Sequence, residues 1–260
     1  VCWLAACLWL PPAHGSEVFI AAASDLVYCL DELNTAFKQT VPSIRLRSTT
    51  GSSGNFTAQI RHGAPFDVLL SADALYPQAL IDSGDAVATS WTPYAVGRLA
   101  LWTARADLDL QQGLYVLAQP EVRTFAIASP DHAPYGRAAQ AALTQAGLWQ
   151  SLSNKRVMGD NIVQALQFAQ TGHADVGVLA LSLVLSPAIR QQGQFYLLPD
   201  GSYPPLNQVA VVTRKGRQNA GAHRYVKWLV SPQAQAIFSR HGFLSPGHVP
   251  VPSAGPKPLP

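Results

Sequence analysis

From Glu17 onward the chain alternates short β-branched and aromatic runs with longer runs whose apolar residues fall three and four positions apart. Val18–Ala22 reads as a strand, followed by a helix carrying Leu26, Cys29, Leu30, Leu33 and Phe37 at helical spacing, with Ser24 and Asp25 at the junction where N-caps belong. "SIRLRST", "SSGNFTAQIRHGA", "FDVLLSAD" and "ALYPQALIDSGD" then repeat strand, helix, strand, helix. Such alternation restricts the chain to mostly parallel sheets covered by helices, because parallel neighbours need a crossover and the helix supplies it. Ligands of such sheets gather at the carboxyl ends of the strands.

A long apolar segment, "YAVGRLALWTA", carries the chain into a second block: strand "TFAIAS", helix "YGRAAQAALTQAG", strand "KRVMG", helix "NIVQALQFAQTG" and strand "DVGVLAL". "YPPLNQVAVVTR" reads as a returning strand and "AHRYVKWLVSPQAQAIFSRHGF" as closing helices. Two sheets joined by two extended segments give a bilobal α/β molecule with a cleft between the lobes. The expected division is 16–97 for the first lobe, 98–204 for the second and 205–243 for the return to the first, with hinges near Tyr94 to Leu99 and Tyr203 to Val209. Residues 244–260 form a Pro-rich tail that reads as unstructured.

The first fifteen residues, "VCWLAACLWLPPAHG", place an apolar run ahead of a Pro pair and the small residues Ala13 and Gly15. This reads as a secretory signal peptide whose front end is missing, with export to the periplasm as the consequence. An apolar run of about ten residues is too short for a membrane anchor, which needs about twenty. "LAAC" ending at Cys7 is the competing lipoprotein reading. Cleavage after Gly15 leaves Cys29 alone, so no intrachain disulfide is expected.

Four strand-to-helix junctions share a chemistry: Ser24-Asp25, Gly51-Ser52-Ser53-Gly54, Ser129 to Gly136, and Gly159 to Ile162. A helix N-terminus leaves about four N–H groups unpaired and carries roughly half a positive charge. Several converging on one point hold an anion without Lys or Arg. Gly51 and Gly54 allow close backbone approach or positive φ, and the hydroxyls of Ser52 and Ser53 rotate to suit an acceptor. The same residues also serve as ordinary helix caps.

"FIAAASDL", "GSSGNFTAQIRHGAPFDVLLSAD", "YAVGRLALW" and "SPDHAPYGRAAQAAL" together resemble the periplasmic molybdate-binding proteins of ABC transporters, over roughly residues 17 to 243. The resemblance implies a type II periplasmic binding fold closing on molybdate or tungstate, which hydroxyls and backbone amides hold as an oxyanion, with no residue coordinating the metal. It implies ligand contacts at Ser24 and the Asp25 amide, at Ser53 with Ser52 beside it, at Tyr135, and at the backbone of Ile162. Some members of that family add a tyrosine hydroxyl at the position of Ala180, a departure here that leaves Tyr135 to supply the phenol. A carboxylate facing a dianion is repelled at low dielectric, so the Asp25 side chain is expected to turn away as an N-cap. If it points inward, a protonated anion such as hydrogen phosphate fits better.

The family also implies a monomer that needs no cofactor and delivers its ligand to a membrane permease and its ATPase. Sulfate or phosphate capture, and a ligand-sensing accessory domain, are the competing readings. The net charge of +3 is not concentrated in any basic run, which speaks against nucleic acid. No GxSxG, HExxH or CxxC occurs, so neither catalysis nor a metal site is expected, and His132 is the nearest candidate base for Ser52 or Ser53.

Overall fold

The computed structural model describes residues 17–248, so the signal-peptide and lipoprotein readings, and the tail from residue 249, lie outside the described residues. In chain order the main elements are β1 (Glu17–Ala23), α1 (Leu30–Thr40), β2 (Arg45–Gly51), α2 (Ser53–Arg61), β3 (Val68–Ser71), α3 (Leu75–Asp82), β4 (Thr92–Gly97) and β5 (Leu99–Thr103). There follow β6 (Phe125–Ala128), α4 (Pro134–Gln145), β7 (Arg156–Gly159), α5 (Ile162–Gln170), β8 (Val176–Ala180), α6 (Leu181–Val184), α7 (Pro187–Arg190), β9 (Gln194–Leu197), β10 (Leu206–Val212), α8 (Ala220–Trp228) and α9 (Pro232–Arg240).

These strands form two five-stranded sheets of the same design, ordered β2-β1-β3-β10-β4 and β7-β6-β8-β5-β9. In the first, β2, β1 and β3 run parallel and β10 lies antiparallel to β3 and β4. In the second, β7, β6 and β8 run parallel and β5 lies antiparallel to β8 and β9. The chain changes sheet at Arg98, the one residue between β4 and β5, so the apolar run "YAVGRLALWTA" is two strands in two sheets. Strand β9 completes the second sheet and was not legible in the polar "QQGQFYL".

Both faces of the first sheet are covered, which is why β1 and β3 are almost wholly buried. Along β10 the residues alternate: Ala210 and Val212 pack with Phe37, Tyr94, Tyr225 and Phe238 beneath α1, α8 and α9. Val209 and Val211 pack on the other face with Phe56, Ile60 and Leu80 of α2 and α3. A third core, built around Trp102, Phe125, Ile127, Leu143 and Leu166, fills the second lobe and reaches Ala23 and Ala72 at strand ends of the first. Leu244 exchanges both backbone hydrogen bonds with Val96, so the chain is still tied to β4 one residue into the stretch read as tail.

The junction after β1 differs from the helical reading. Ser24–Leu26 form a 3₁₀ turn, α1 starts only at Leu30, and neither Ser24 nor Asp25 makes a side-chain cap. Contacts from outside the segment hold the turn: Ser182 Oγ donates to the Asp25 carbonyl at 2.7 Å, and other residues grip the carboxyl group.

Candidate functional site

The carboxyl ends of β1 and β2 and the turn after β3 meet the N-termini of α2, α4 and α5 around one small cavity. It is lined by Ala23, Ser24, Asp25, Gly51, Ser52, Ser53, Ala72, Ala133, Pro134, Tyr135 and Ile162. All six residues singled out in the sequence stand in that lining, although they are spread over more than half of the chain. Ala180, at the end of β8, is buried and does not belong to the lining. The cavity is small: about 10 Å³ is open to the centre of a water-sized sphere, about the least room that admits one small solute. That size suits one compact solute.

The donors divide into free and committed. Asn161 caps α5 by accepting from Val163 and Gln164 N–H, at 2.9 and 3.1 Å, which leaves the first N–H of the helix, that of Ile162, without a protein acceptor among the described residues. Likewise no protein acceptor among the described residues takes the N–H of Ser53 or Tyr135. Ser53 Oγ accepts from Ala72 N–H at 3.1 Å, so its own hydrogen remains available to a ligand. The hydroxyl of Ser24 makes no hydrogen bond among the described residues. With no Lys or Arg in the lining, any positive potential comes from unpaired N–H groups and helix dipoles.

Ser52 is committed elsewhere: its Oγ donates at 2.5 Å to the carbonyl of His132, which also accepts from Gly54 N–H at 3.0 Å. These two bonds tie the first lobe to the loop before α4. Neither Gly51 nor Gly54 has a positive φ. A side chain at Gly51 would meet the Phe56 ring, and one at Gly54 would come within 2.6 Å of both the His132 carbonyl and the Tyr76 hydroxyl. The glycines therefore serve packing and close approach between lobes, not a left-handed turn.

Asp25 also departs from expectation. Its side chain does not cap a helix but lies buried, 1% exposed, with Oδ2 accepting from Tyr135 Oη at 3.0 Å and from the Gln208 side-chain amide. Oδ1 is buried with no hydrogen-bond partner among the described residues. Burial pushes the carboxyl from 3.8 up to about 6, against the lowering effect of the Gln208 and Tyr135 hydrogen bonds. The phenol of Tyr135 is thus spent on the Asp25 carboxyl.

Gln208, fully buried on β10 at a register shift, is the residue the sequence reading missed. Its Oε1 accepts from Tyr94 Oη at 2.7 Å while its amide nitrogen serves Asp25, so it fixes the carboxyl from the sheet side. A lone Gln inside the apolar run "LNQVAVV" was the available signal. Farther out, Arg137 of α4 forms an ion pair with Asp73, donates to Tyr76 Oη at 2.8 Å and lies 4.8 Å over the Tyr76 ring. The His132 ring bonds the Asp160 carbonyl at 2.9 Å, and no hydrogen bond joins any His ring to Ser52 or Ser53 among the described residues.

The family model for bacterial extracellular solute-binding proteins matches residues 18–244. The chain belongs to that family. Within it, the chain is 35% identical to the molybdate-binding protein ModA of Azotobacter vinelandii over 231 residues, covering 89% of this chain and 91% of the relative. It is also 35% identical to ModA of Rhodobacter capsulatus over 234 residues, covering 90% of each. The solved structure of the Azotobacter vinelandii periplasmic molybdate-binding protein superposes with a TM-score of 0.83 at 34% identity, covering 88% of this chain and all of the other. The two α/β lobes described above are the bilobal fold of this solute-binding family.

Proposed function

We propose that this protein captures molybdate or tungstate in the cleft between its lobes and hands it to an ABC permease and its ATPase at the membrane. The periplasm is the compartment, and the step is capture without chemistry. The observation that carries the reading is the cavity itself: N–H groups of Ser53, Tyr135 and Ile162 at three helix starts with no acceptor among the described residues, with the Ser24 and Ser53 hydroxyls beside them and no cationic side chain in the lining. Tetrahedral oxyanions with four acceptor oxygens match that set. The names of its relatives select molybdate among them.

In this mechanism the open form admits the anion, donors from both lobes converge on it, and the closed form is favoured by the contacts made only there. The boundaries near residues 97 and 205 act as the hinge, since the chain passes from one sheet to the other at Arg98 and again between β9 and β10.

The test is thermal unfolding of the protein from residue 16 with molybdate, tungstate, sulfate and phosphate at equal concentrations. A ligand present at about 100 times its Kd adds about 2.7 kcal/mol to stability. Shifts with molybdate and tungstate alone support the reading. A shift with sulfate or phosphate alone, or with none of the four, overturns it.

A further inference from the structure

Asp25 presents a physical conflict that the proposed ligand makes acute. Its carboxyl lies among the residues lining the cavity, buried, with one oxygen accepting from two donors and the other from none. The groups that face it come from four other elements. They are Tyr135 of α4, Gln208 of β10, Tyr94 of β4 through Gln208, and Ser182 of α6 on its carbonyl. Cys29, just before α1, is the nearby thiol, and its proton is held more tightly because of burial and the Asp25 charge. None of these is a cation, and Asp25 takes part in no ion pair among the described residues.

A buried carboxylate without a counter-ion cannot share so small a space with a doubly charged oxyanion at low cost, because both burial and like charge favour its neutral form. The empty oxygen identifies where the proton belongs. Protonation at Oδ1 leaves Oδ2 accepting as before and turns the unpartnered oxygen of the carboxyl into a donor.

We propose that Asp25 is neutral whenever the cleft holds its dianion, so that capture takes up one proton from solution and Asp25 selects fully deprotonated oxyanions by supplying that proton itself. This rests on the oxyanion-capture reading. Burial between the lobes holds the carboxyl at about 6, and water returning on opening lowers it, so most of the population is ionised at neutral pH and must gain the proton on binding. Closure and protonation are coupled through geometry, since the Asp25 contacts with Tyr135 and Ser182 join the two lobes. Opening returns water to the carboxyl, the proton leaves, and the recovered charge repels the anion outward.

Linkage fixes the sign and size of the effect. Uptake of one proton weakens binding about tenfold for each pH unit above the carboxyl pKa, hence about 100-fold between about pH 6.5 and pH 8.5, a range in which molybdate itself carries no proton. The experiment is titration calorimetry of the whole protein with molybdate across that range, in two buffers of different ionisation enthalpy so that protons are counted directly, with inorganic phosphate as a parallel arm. Uptake near one proton, with the 100-fold fall, supports the proposal. Asp25→Asn, which keeps an acceptor for Tyr135 and Gln208 and a donor in place of the acid proton, is then expected to bind with a flat pH profile. Molybdate binding without proton uptake in the native protein, or an unchanged slope in Asp25→Asn, overturns the proposal and leaves the capture reading standing. Phosphate binding in place of molybdate overturns both.

Discussion

Removing Arg137 tests whether closure is held by a latch outside the ligand cavity. The guanidinium stands on α4 in the second lobe, and both partners, Asp73 and Tyr76, lie just beyond β3 in the first, so these contacts exist only while the lobes are together. The side chains of Arg137 and Asp73 are 31% and 12% exposed. The pair therefore falls between surface ion pairs, worth about 0–1 kcal/mol, and buried ones, whose disruption costs about 3–5 kcal/mol. In Arg137→Gln the abandoned Asp73 keeps its bonds from Leu75 and Tyr76 N–H, at 3.1 and 3.3 Å, so its charge is not left orphaned. The expected loss is accordingly about 2 kcal/mol in the closed-to-open balance, or roughly 30-fold.

The loss should appear as faster ligand release, because the latch forms after encounter. Calorimetric Kd and a competition-based dissociation rate, measured at low and high salt, give the readout, with the thermal midpoint of the ligand-free protein as the folding control. A double-mutant cycle with Asp73→Asn separates the pair from the capping duty of Asp73. If Kd and release rate both stay within about twofold of the native protein, the latch argument is wrong, however good the geometry looks.

Three further substitutions probe the site. Ser53→Ala removes a hydroxyl whose hydrogen is uncommitted and which also accepts from the buried Ala72 N–H, so it should weaken oxyanion binding by about 1–3 kcal/mol and also lower the melting point of the ligand-free protein, as calorimetry and a thermal scan would show. Gly54→Ala places a methyl group 2.6 Å from the His132 carbonyl and the Tyr76 hydroxyl, so it should hold the lobes apart, and small-angle scattering with saturating ligand should record a larger radius than for the native protein. Asp25 carries a stability prediction of its own: its folded value of about 6 lies above the ordinary 3.8, so its contribution is complete below about pH 4 and is lost as pH rises through about 6, at most about 3 kcal/mol. Ligand-free Asp25→Asn should therefore melt higher than the native protein at pH 7, with the difference vanishing near pH 4; a constant difference across that range would refute the linkage.

Much of this was legible because it is local. The junctions that hold Ser53 and Ile162 were read from their place at helix starts after strands, which leave N–H groups unpaired wherever they occur, and the family resemblance singled out the two residues within them. The hydroxyl of Ser52 looked equivalent to that of Ser53 in sequence, yet the two diverge. Ser53 meets Ala72 of its own lobe and keeps its hydrogen, whereas Ser52 meets His132 of the other and spends it. Asp25 was misjudged for the same reason: local rules make it an N-cap, but Tyr135 and Gln208, which hold it, lie 110 and 183 residues away.

The sequence by itself determined the alternation of strand and helix, hence two parallel-type sheets, and the positions at which helix starts face the strand ends. Those features depend on side-chain period and on backbone groups within a few residues of one another. Only the tertiary structure decided which donors remain free, where Gln208 enters, and that Asp25 is buried without a counter-ion. A hydrogen can be given only once, and the acceptor that takes it is chosen by the meeting of two lobes, which no local pattern records.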